Sequence, residues 1–279
     1  MDQVEFISCP NCEQSVASPW AHESGFTLMK CTGCGLLYVN PRPLLSTISE
    51  ASVSGVHGTK DGRLVVTSHR KPKKVARNRR IFAEFFREEI AAGRSLRWMD
   101  IGAGYGEAVE AAASLMPLGS YICGIEPMQV KMQAARDHGL EITDTPLAEI
   151  KEKFDVISMI NVFSHIPDFR GFLCEIRQRL HPGGVFFLET GNGADLNQPT
   201  DFPDRLDLPD HLVFTGRQQM KQMLEKSGFI LERCAEKRVD SPLWVARVMA
   251  RDLMSRRLSV HLPWTSPFRT LLCRARLVQ

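Results

Sequence analysis

The stretch from Arg97 to Ala112 reads RWMDIGAGYGEAVEAA. A short apolar run ends at Asp100, the glycines Gly102, Gly104 and Gly106 crowd into the positions that follow, and a helix-forming run begins at Glu107. This order predicts a strand over 96–100, a tight turn, and a helix from Glu107 to about Met116, stopped by Pro117. Glycine lacks a Cβ, so the turn can bend sharply and a ligand can lie against the main chain. The N–H groups that open the next helix favour a carboxylate or phosphate.

Outward from this loop, strands and helices alternate. YICGIE (121–126) is the second strand, and a helix follows to His138 with Gly139 as its stop. EIT (141–143) is a short third strand, and FDVISMI (154–160) is a buried one. A helix spans roughly 168–180, and GVFFLET (184–190) is a strand after the HPGG turn. Thr215 with Gln218 has the form of a capping box, opening a helix that carries Met220, Met223 and Leu224 and stops at Gly228. FILERCAEKRV (229–239) is a strand, and TLLCRARLV near the end is a final antiparallel one. Ahead of the loop, Ile81, Phe82, Phe85, Phe86 and Ile90 recur at helical spacing. The fold class is therefore α/β: a doubly wound, mostly parallel seven-stranded sheet covered on both faces.

CPNC (9–12) and CTGCG (31–35) give two C-x2-C pairs eighteen residues apart. Two such knuckles complete a four-sulfur tetrahedron, which suits structural Zn2+ with Cys9, Cys12, Cys31 and Cys34 as ligands. A disulfide pairing and a thioredoxin-like redox pair are the weaker readings, because the pairs are matched and no βαβ pattern surrounds them. Cys123, Cys174, Cys234 and Cys273 are scattered and read as small buried apolar residues. The expected organisation is a zinc ribbon over 1–45, a linker and helical lid over 46–95, and a ligand-binding domain over 96–279 with a helical insertion at about 241–268.

Gly102, Gly104 and Gly106 end the first strand, where a doubly wound sheet binds its ligand. Glu126 ends the second, and its carboxylate can accept both hydroxyls of a ribose. Loop and acid together form an adenosine-cofactor signature. A dinucleotide loop places its third glycine three residues after the second, and here it comes after two. In this order, MDIGAGYGEAV, GIEP, FDVISMINVFSHIPD, LHPGGVFFLE and PDHLVFTGRQQMKQMLEKSGF resemble the successive motifs of class I S-adenosylmethionine-dependent methyltransferases. The resemblance is to the branch that includes ubiquinone-type O-methyltransferases and enzymes that modify sugars, lipids and natural products. The cysteine-rich head resembles the zinc ribbon ahead of many members.

The resemblance covers roughly residues 5–45 and 75–235. It implies that Asp100 and the loop Gly102, Ala103, Gly104, Tyr105 and Gly106 hold the methionine end of S-adenosyl-L-methionine. Glu126, beside Pro127, takes the ribose, Leu147 lies against adenine, and Asn161 and Val162 face the methyl sulfonium and the acceptor. Related quinone enzymes commonly carry Glu before the histidine where this chain has Ser164.

Methyl transfer is an in-line displacement, so the protein aligns two reactants and excludes water. A hydroxyl acceptor must also lose its proton, and histidine suits that at neutral pH. His165, after the fourth strand, and His211, in PDHLVFTG, are the two candidates. Packing or capping is the plain reading of the first, and a backbone hydrogen bond that of the second.

Lys71, Lys73, Lys74, Arg77, Arg79 and Arg80 crowd the approach to the core. A solvated helix start is the plain reading, and recognition of an acidic or phosphorylated acceptor the sharper one. The aromatic interleaving of a nucleic-acid surface is missing. In the tail, Leu243, Val245, Val248, Met249, Leu253 and Met254 form one apolar face: a core-packing helix or lid by default, a membrane-surface or subunit contact otherwise. The 279 residues are 43% hydrophobic, enough for one sizeable core with smaller attached units, and the formal charge of +3 points to no partner class. The first residues do not resemble a signal peptide and no apolar run is long enough to cross a bilayer, so a soluble, cytoplasmic protein is expected. O-methylation of a sugar, glycolipid precursor or small natural product is the expected reaction. The rivals are an NAD-dependent oxidoreductase and a non-catalytic cofactor-binding module. Oligomeric state is not legible.

Overall fold

The computed structural model describes residues 3–59, 62–66, 69–203, 205–238, 242–254 and 267–278. The N-terminal region forms β1 (Val4–Glu5), β2 (Ala17–Glu23), β3 (Phe26–Cys31), β4 (Leu37–Val39) and β5 (Arg42–Pro43). Helix α1 (Leu45–Ser54), the hairpin β6 (Val56–Thr59) and β7 (Gly62–Val65), and helices α2 (Pro72–Phe85) and α3 (Arg87–Ala92) follow. The alternating half runs β8 (Arg97–Ile101), α4 (Glu107–Ala113), β9 (Tyr121–Ile125), α5 (Gln129–Arg136), β10 (Ile142–Thr143), β11 (Phe154–Ile160), α6 (Phe169–Arg179) and β12 (Leu180–Gly191). The last elements are β13 (Val213–Phe214), α7 (Arg217–Lys226), β14 (Phe229–Arg238), α8 (Pro242–Met254) and β15 (Arg269–Leu277).

The central sheet has seven strands in the order β10-β9-β8-β11-β12-β15-β14. The first five are mutually parallel, and β15 runs antiparallel to both β12 and β14. The chain winds outward from β8 to β10 on one side and from β11 to β12 on the other. Their carboxyl ends therefore open a crevice between β8 and β11, where such sheets bind ligands.

Successive side chains point to opposite faces, and the strands are apolar on both. Met99, Ile157 and Phe186 enter one core, whereas Trp98, Val156 and Phe187 enter the other. Helix α2 lays Ile81, Phe82 and Phe85 on the second face, with the Phe82 and Trp98 ring centres 4.9 Å apart, and Phe86 just after the helix packs on the same indole. This contact corrects the expected boundary. The part of segment 46–95 that forms α2 is no linker, because it supplies one wall of the second core.

The N-terminal region is likewise not a separate body. β13 completes a four-stranded sheet in the order β13-β4-β3-β2. Cys9, Cys31, Leu36 and Tyr38 belong to the same continuous core as Ile157, Phe163 and Met220.

Other expectations are corrected locally. The Thr215–Gln218 capping box does not form: Gly216 is the N-cap of α7, and the Arg217 N–H donates to the Asp195 carboxylate at 2.9 Å. The cap thus comes from a residue distant in sequence. The HPGG turn lies inside β12, which starts at Leu180. Cys174 is exposed and Cys234 half-buried, so only Cys123 and Cys273 behave as buried apolar residues. On α8, Leu253 is 70% and Met254 84% exposed, so those residues do not pack into the core. The side chains of Leu243, Val245 and Val248, and residues 255–266 of the expected insertion, lie outside the described residues. Among the described residues, no helix is long and apolar enough to cross a membrane.

Candidate functional site

The crevice between β8 and β11 is a cleft of about 1280 Å3. Its floor is the glycine loop. Gly102, Gly104 and Gly106 have φ of 65°, 56° and 80°, a left-handed region that glycine enters without penalty. A Cβ on Gly102 would lie 2.4 Å from a Val162 methyl, so the loop after β8 and the turn after β11 touch because that side chain is missing. At Gly104 a Cβ would meet nothing within 4 Å, because that backbone faces the cleft. Gly124 of β9, the first residue of GIEP, carries a packing role that the sequence does not reveal. A Cβ there would come 2.7 Å from the Ala103 methyl, so its absence lets the loop settle onto the sheet.

Glu126 follows β9 and is 6% exposed. Its carboxylate accepts the Gly104 N–H at 2.7 Å and the Met128 N–H at 3.1 Å, which ties the loop to the second strand. Asp100 is 1% exposed and accepts from the Ser158 hydroxyl at 2.5 Å, which accepts in turn from the Trp98 indole at 2.8 Å. Burial pushes the Asp100 carboxyl up to about 7, with Glu126 and Glu107 adding repulsion against the Ser158 hydrogen bond. Among the described residues, no Lys or Arg forms an ion pair with Asp100, Glu107 or Glu126. Three buried acids without a cation fit a positively charged ligand. Tyr105, Pro127 and Leu147 also line this side, with Leu147 buried on a single helical turn.

Asn161 and Val162 line the middle of the cleft. Asn161 adopts φ of 55°, and its side-chain amide donates to Glu189 at 3.1 Å. Glu189 is buried and also accepts two bonds of 2.8 Å from Arg77. Arg77, from the basic stretch, is thus neutralised by the protein itself, which removes it from the acid-reading set.

The opposite wall carries the histidines. Asp210 Oδ1 lies 2.9 Å from His165 Nδ1 and 3.1 Å from His57 Nε2. The Asp210 carbonyl, 3.0 Å from the same His165 nitrogen, marks Nδ1 as the protonated one and leaves Nε2 basic. Burial opposes the charged form of His165, but the hydrogen bond and charge of Asp210 outweigh it and raise its pKa. Burial also works against the Asp210 carboxylate, yet its two histidine partners hold its pKa far below the usual range.

His57 stands on β6, within the segment expected to be a linker and helical lid, and no sequence motif flags it. Residues of α1, among them Ile48 and Ala51, line the cleft beside it. His211 does not line the cleft. Its Nδ1 donates to the Leu206 carbonyl at 2.8 Å, and burial with the nearby His165 pushes its pKa down to about 4.

Cys9 and Cys34 sulfurs are 3.6 Å apart, Cys12 and Cys31 sulfurs 3.4 Å, and all four lie within 4.8 Å of one another. Sulfurs around tetrahedral zinc stand about 3.8 Å apart, so the donor set fits that ion.

The sequence profile of a family described as a methyltransferase domain matches residues 68–233. A ubiquinone biosynthesis O-methyltransferase of Chelativorans sp. (strain BNC1) is 33% identical over 123 residues, 40% of this chain and 47% of that protein. The enzyme of the same name from Paramagnetospirillum magneticum is 33% identical over 139 residues, 46% of this chain and 52% of that protein. In each case the chain spans about half the length of the relative. Among solved structures, the [4+2]-cyclase SpnF superposes with a TM-score of 0.51 at 18% identity, covering 72% of this chain and 81% of that one. The YcgJ protein from Bacillus subtilis does so with a TM-score of 0.53 at 14% identity, covering 73% and 99%. At such identities the likeness shows the fold alone. The profile match covers more than half of the 279 residues, and the chain belongs to the methyltransferase-domain family.

Proposed function

We propose that the protein methylates a hydroxyl of a small molecule, with S-adenosyl-L-methionine as methyl donor. The observation that carries this reading is the set of buried acids at the foot of an open glycine loop: Asp100, Glu107 and Glu126 offer a cationic ligand the countercharge that the protein withholds. In this reading Asp100 and the loop from Gly102 to Gly106 hold the amino-acid end, Glu126 the ribose, and Leu147 the adenine. When bound, the donor supplies a methyl group already activated by positive sulfur. Asn161 and Val162 flank the gap between donor and acceptor. His165, its Nδ1 held by Asp210, accepts the acceptor's proton at Nε2. His57 and α1 roof the cleft and exclude water.

The O-methyltransferase names of the relatives support oxygen as the nucleophile. Sugar, glycolipid and natural-product hydroxyls all remain in the acceptor class proposed. The four cysteines hold one structural zinc, closed to catalysis because no coordination position is left. Calorimetry against S-adenosylhomocysteine and NAD tests the cofactor. Binding of the first alone is expected, and binding of NAD alone would overturn the reading. Metal analysis should find one zinc per chain.

A further inference from the structure

The segment that completes the N-terminal sheet also carries the acid of the histidine cluster. β13 pairs with β4, Val213 opposite Tyr38 and Phe214 opposite Leu37, and β4 begins just after Cys34. The Val39 N–H donates to the Leu212 carbonyl at 2.9 Å, and the Leu212 N–H donates to the Ser164 carbonyl at 2.7 Å. Ser164 is the residue before His165, and Asp210 lies two residues ahead of Leu212. At its other end the segment is held by Glu23 of β2, whose carboxylate accepts the Leu206 N–H at 3.0 Å and the Leu208 N–H at 3.2 Å. Gln219 of α7 adds a bond of 2.9 Å to the Cys34 carbonyl. Both partners of the His165–Asp210 pair are thus fastened to the sheet that the cysteines close. On the facing wall, the Ala103 N–H donates to the Ile125 carbonyl and the Gly104 N–H to Glu126, which tie the glycine loop to the second strand of the central sheet.

We infer that the N-terminal cysteine sheet is a positioning element for the His165–Asp210 pair, acting through Glu23 and the main chain of Leu212. The physical reason is that residues 206–212 have little regular structure of their own, and ordering such a segment costs conformational entropy that local contacts do not repay. Main-chain bonds to a metal-closed sheet hold it in one place, and proton transfer is sensitive to displacements of about 1 Å. The inference rests on the reading of the cysteines as a metal site and of the cleft as a donor site.

The test uses the full-length protein in three forms: untreated, stripped of metal by a chelator and then reloaded with zinc, and Glu23→Ala. Ring nitrogen NMR follows the titration of His165, its signal assigned by loss in His165→Gln, while calorimetry follows S-adenosylhomocysteine affinity. In the untreated protein His165 should titrate above its ordinary value of about 6.5. Stripping should lower its titration and reloading should restore it, because the Asp210 contact is what raises it against burial. Glu23→Ala should shift it the same way by less, with nucleoside affinity changed by less than about twofold in every form. A His165 titration that ignores both perturbations would overturn the inference. So would loss of nucleoside binding together with the metal, because the sheet would then support the whole fold. If the untreated protein binds no nucleoside, the donor reading fails while the His165 titration still decides this one; if it carries no metal, Glu23→Ala decides alone.

Discussion

The glycine loop and the histidine cluster face each other across one cleft, yet they are built in opposite ways. The loop side is local. Asp100, Gly102, Gly104, Gly106 and Glu126 come from two neighbouring strands and the turns that follow them, joined by hydrogen bonds between adjacent elements. The histidine side is assembled from a hairpin at position 57, a turn at 165 and a loop at 210. His57 stands on a short two-stranded hairpin, His165 on a single helical turn and Asp210 in a loop, so their meeting depends on the packing of the three segments and on the N-terminal sheet behind them. The wall proposed to bind the donor is a property of the sheet, whereas the wall proposed to handle the proton is a property of the packing.

If the two walls are built separately, a change in one should leave the other unaltered. The largest effect is expected from His165→Gln: turnover of an acceptor found by screening should fall roughly 10²–10⁴-fold, with S-adenosylhomocysteine affinity unchanged by calorimetry. An equal loss of affinity would join the walls. Next, Glu126→Ala should weaken nucleoside binding about 10- to 100-fold, the worth of hydrogen bonds to a charged group, while the His165 ring titration stays where it is.

Third comes pH. The Asp100 carboxyl, raised to about 7, is protonated below that value and ionised above it. A cationic ligand is held by the ionised form, so affinity should fall about tenfold between pH 8 and pH 6. Asp100→Asn should flatten that dependence, and a wild-type profile already flat would count against the buried-acid reading. The smallest effect belongs to His211→Gln. Its ring meets the Leu206 carbonyl and not the cleft, so turnover should change by less than about threefold at a stability cost of about 1 kcal/mol, read by denaturant unfolding. A loss as large as that of His165→Gln would return His211 to the reaction.

Much of the donor wall was legible. The three glycines, Asp100 and Glu126 stand at strand ends that the alternating pattern places correctly, because strand, turn and helix are each written in neighbouring residues. Ser158 was legible in principle, as one hydroxyl in the apolar run FDVISMI. Gly124 stands first in GIEP, but its role was not legible: it is needed because Ala103 of the glycine loop lies across it, a fact of packing between loop and strand. The spacing predicts α2 as a helix but not as a wall of a core, since Phe82 meets Phe187 and Trp98 across two strands that only the folded sheet brings together. The cap of α7 was misread for a similar reason, because Asp195 supplies it in place of Thr215.

The sequence by itself determined the order of elements, the glycine turn and the paired cysteine knuckles. Each of these depends on residues within a few positions of one another, where backbone geometry and spacing act directly. Only the tertiary structure decided that His57 and His165 meet at Asp210, that Arg77 is neutralised by Glu189, and that a late strand closes the N-terminal sheet. Those contacts join segments whose separation along the chain carries no local preference, so they are fixed only once the two cores have formed.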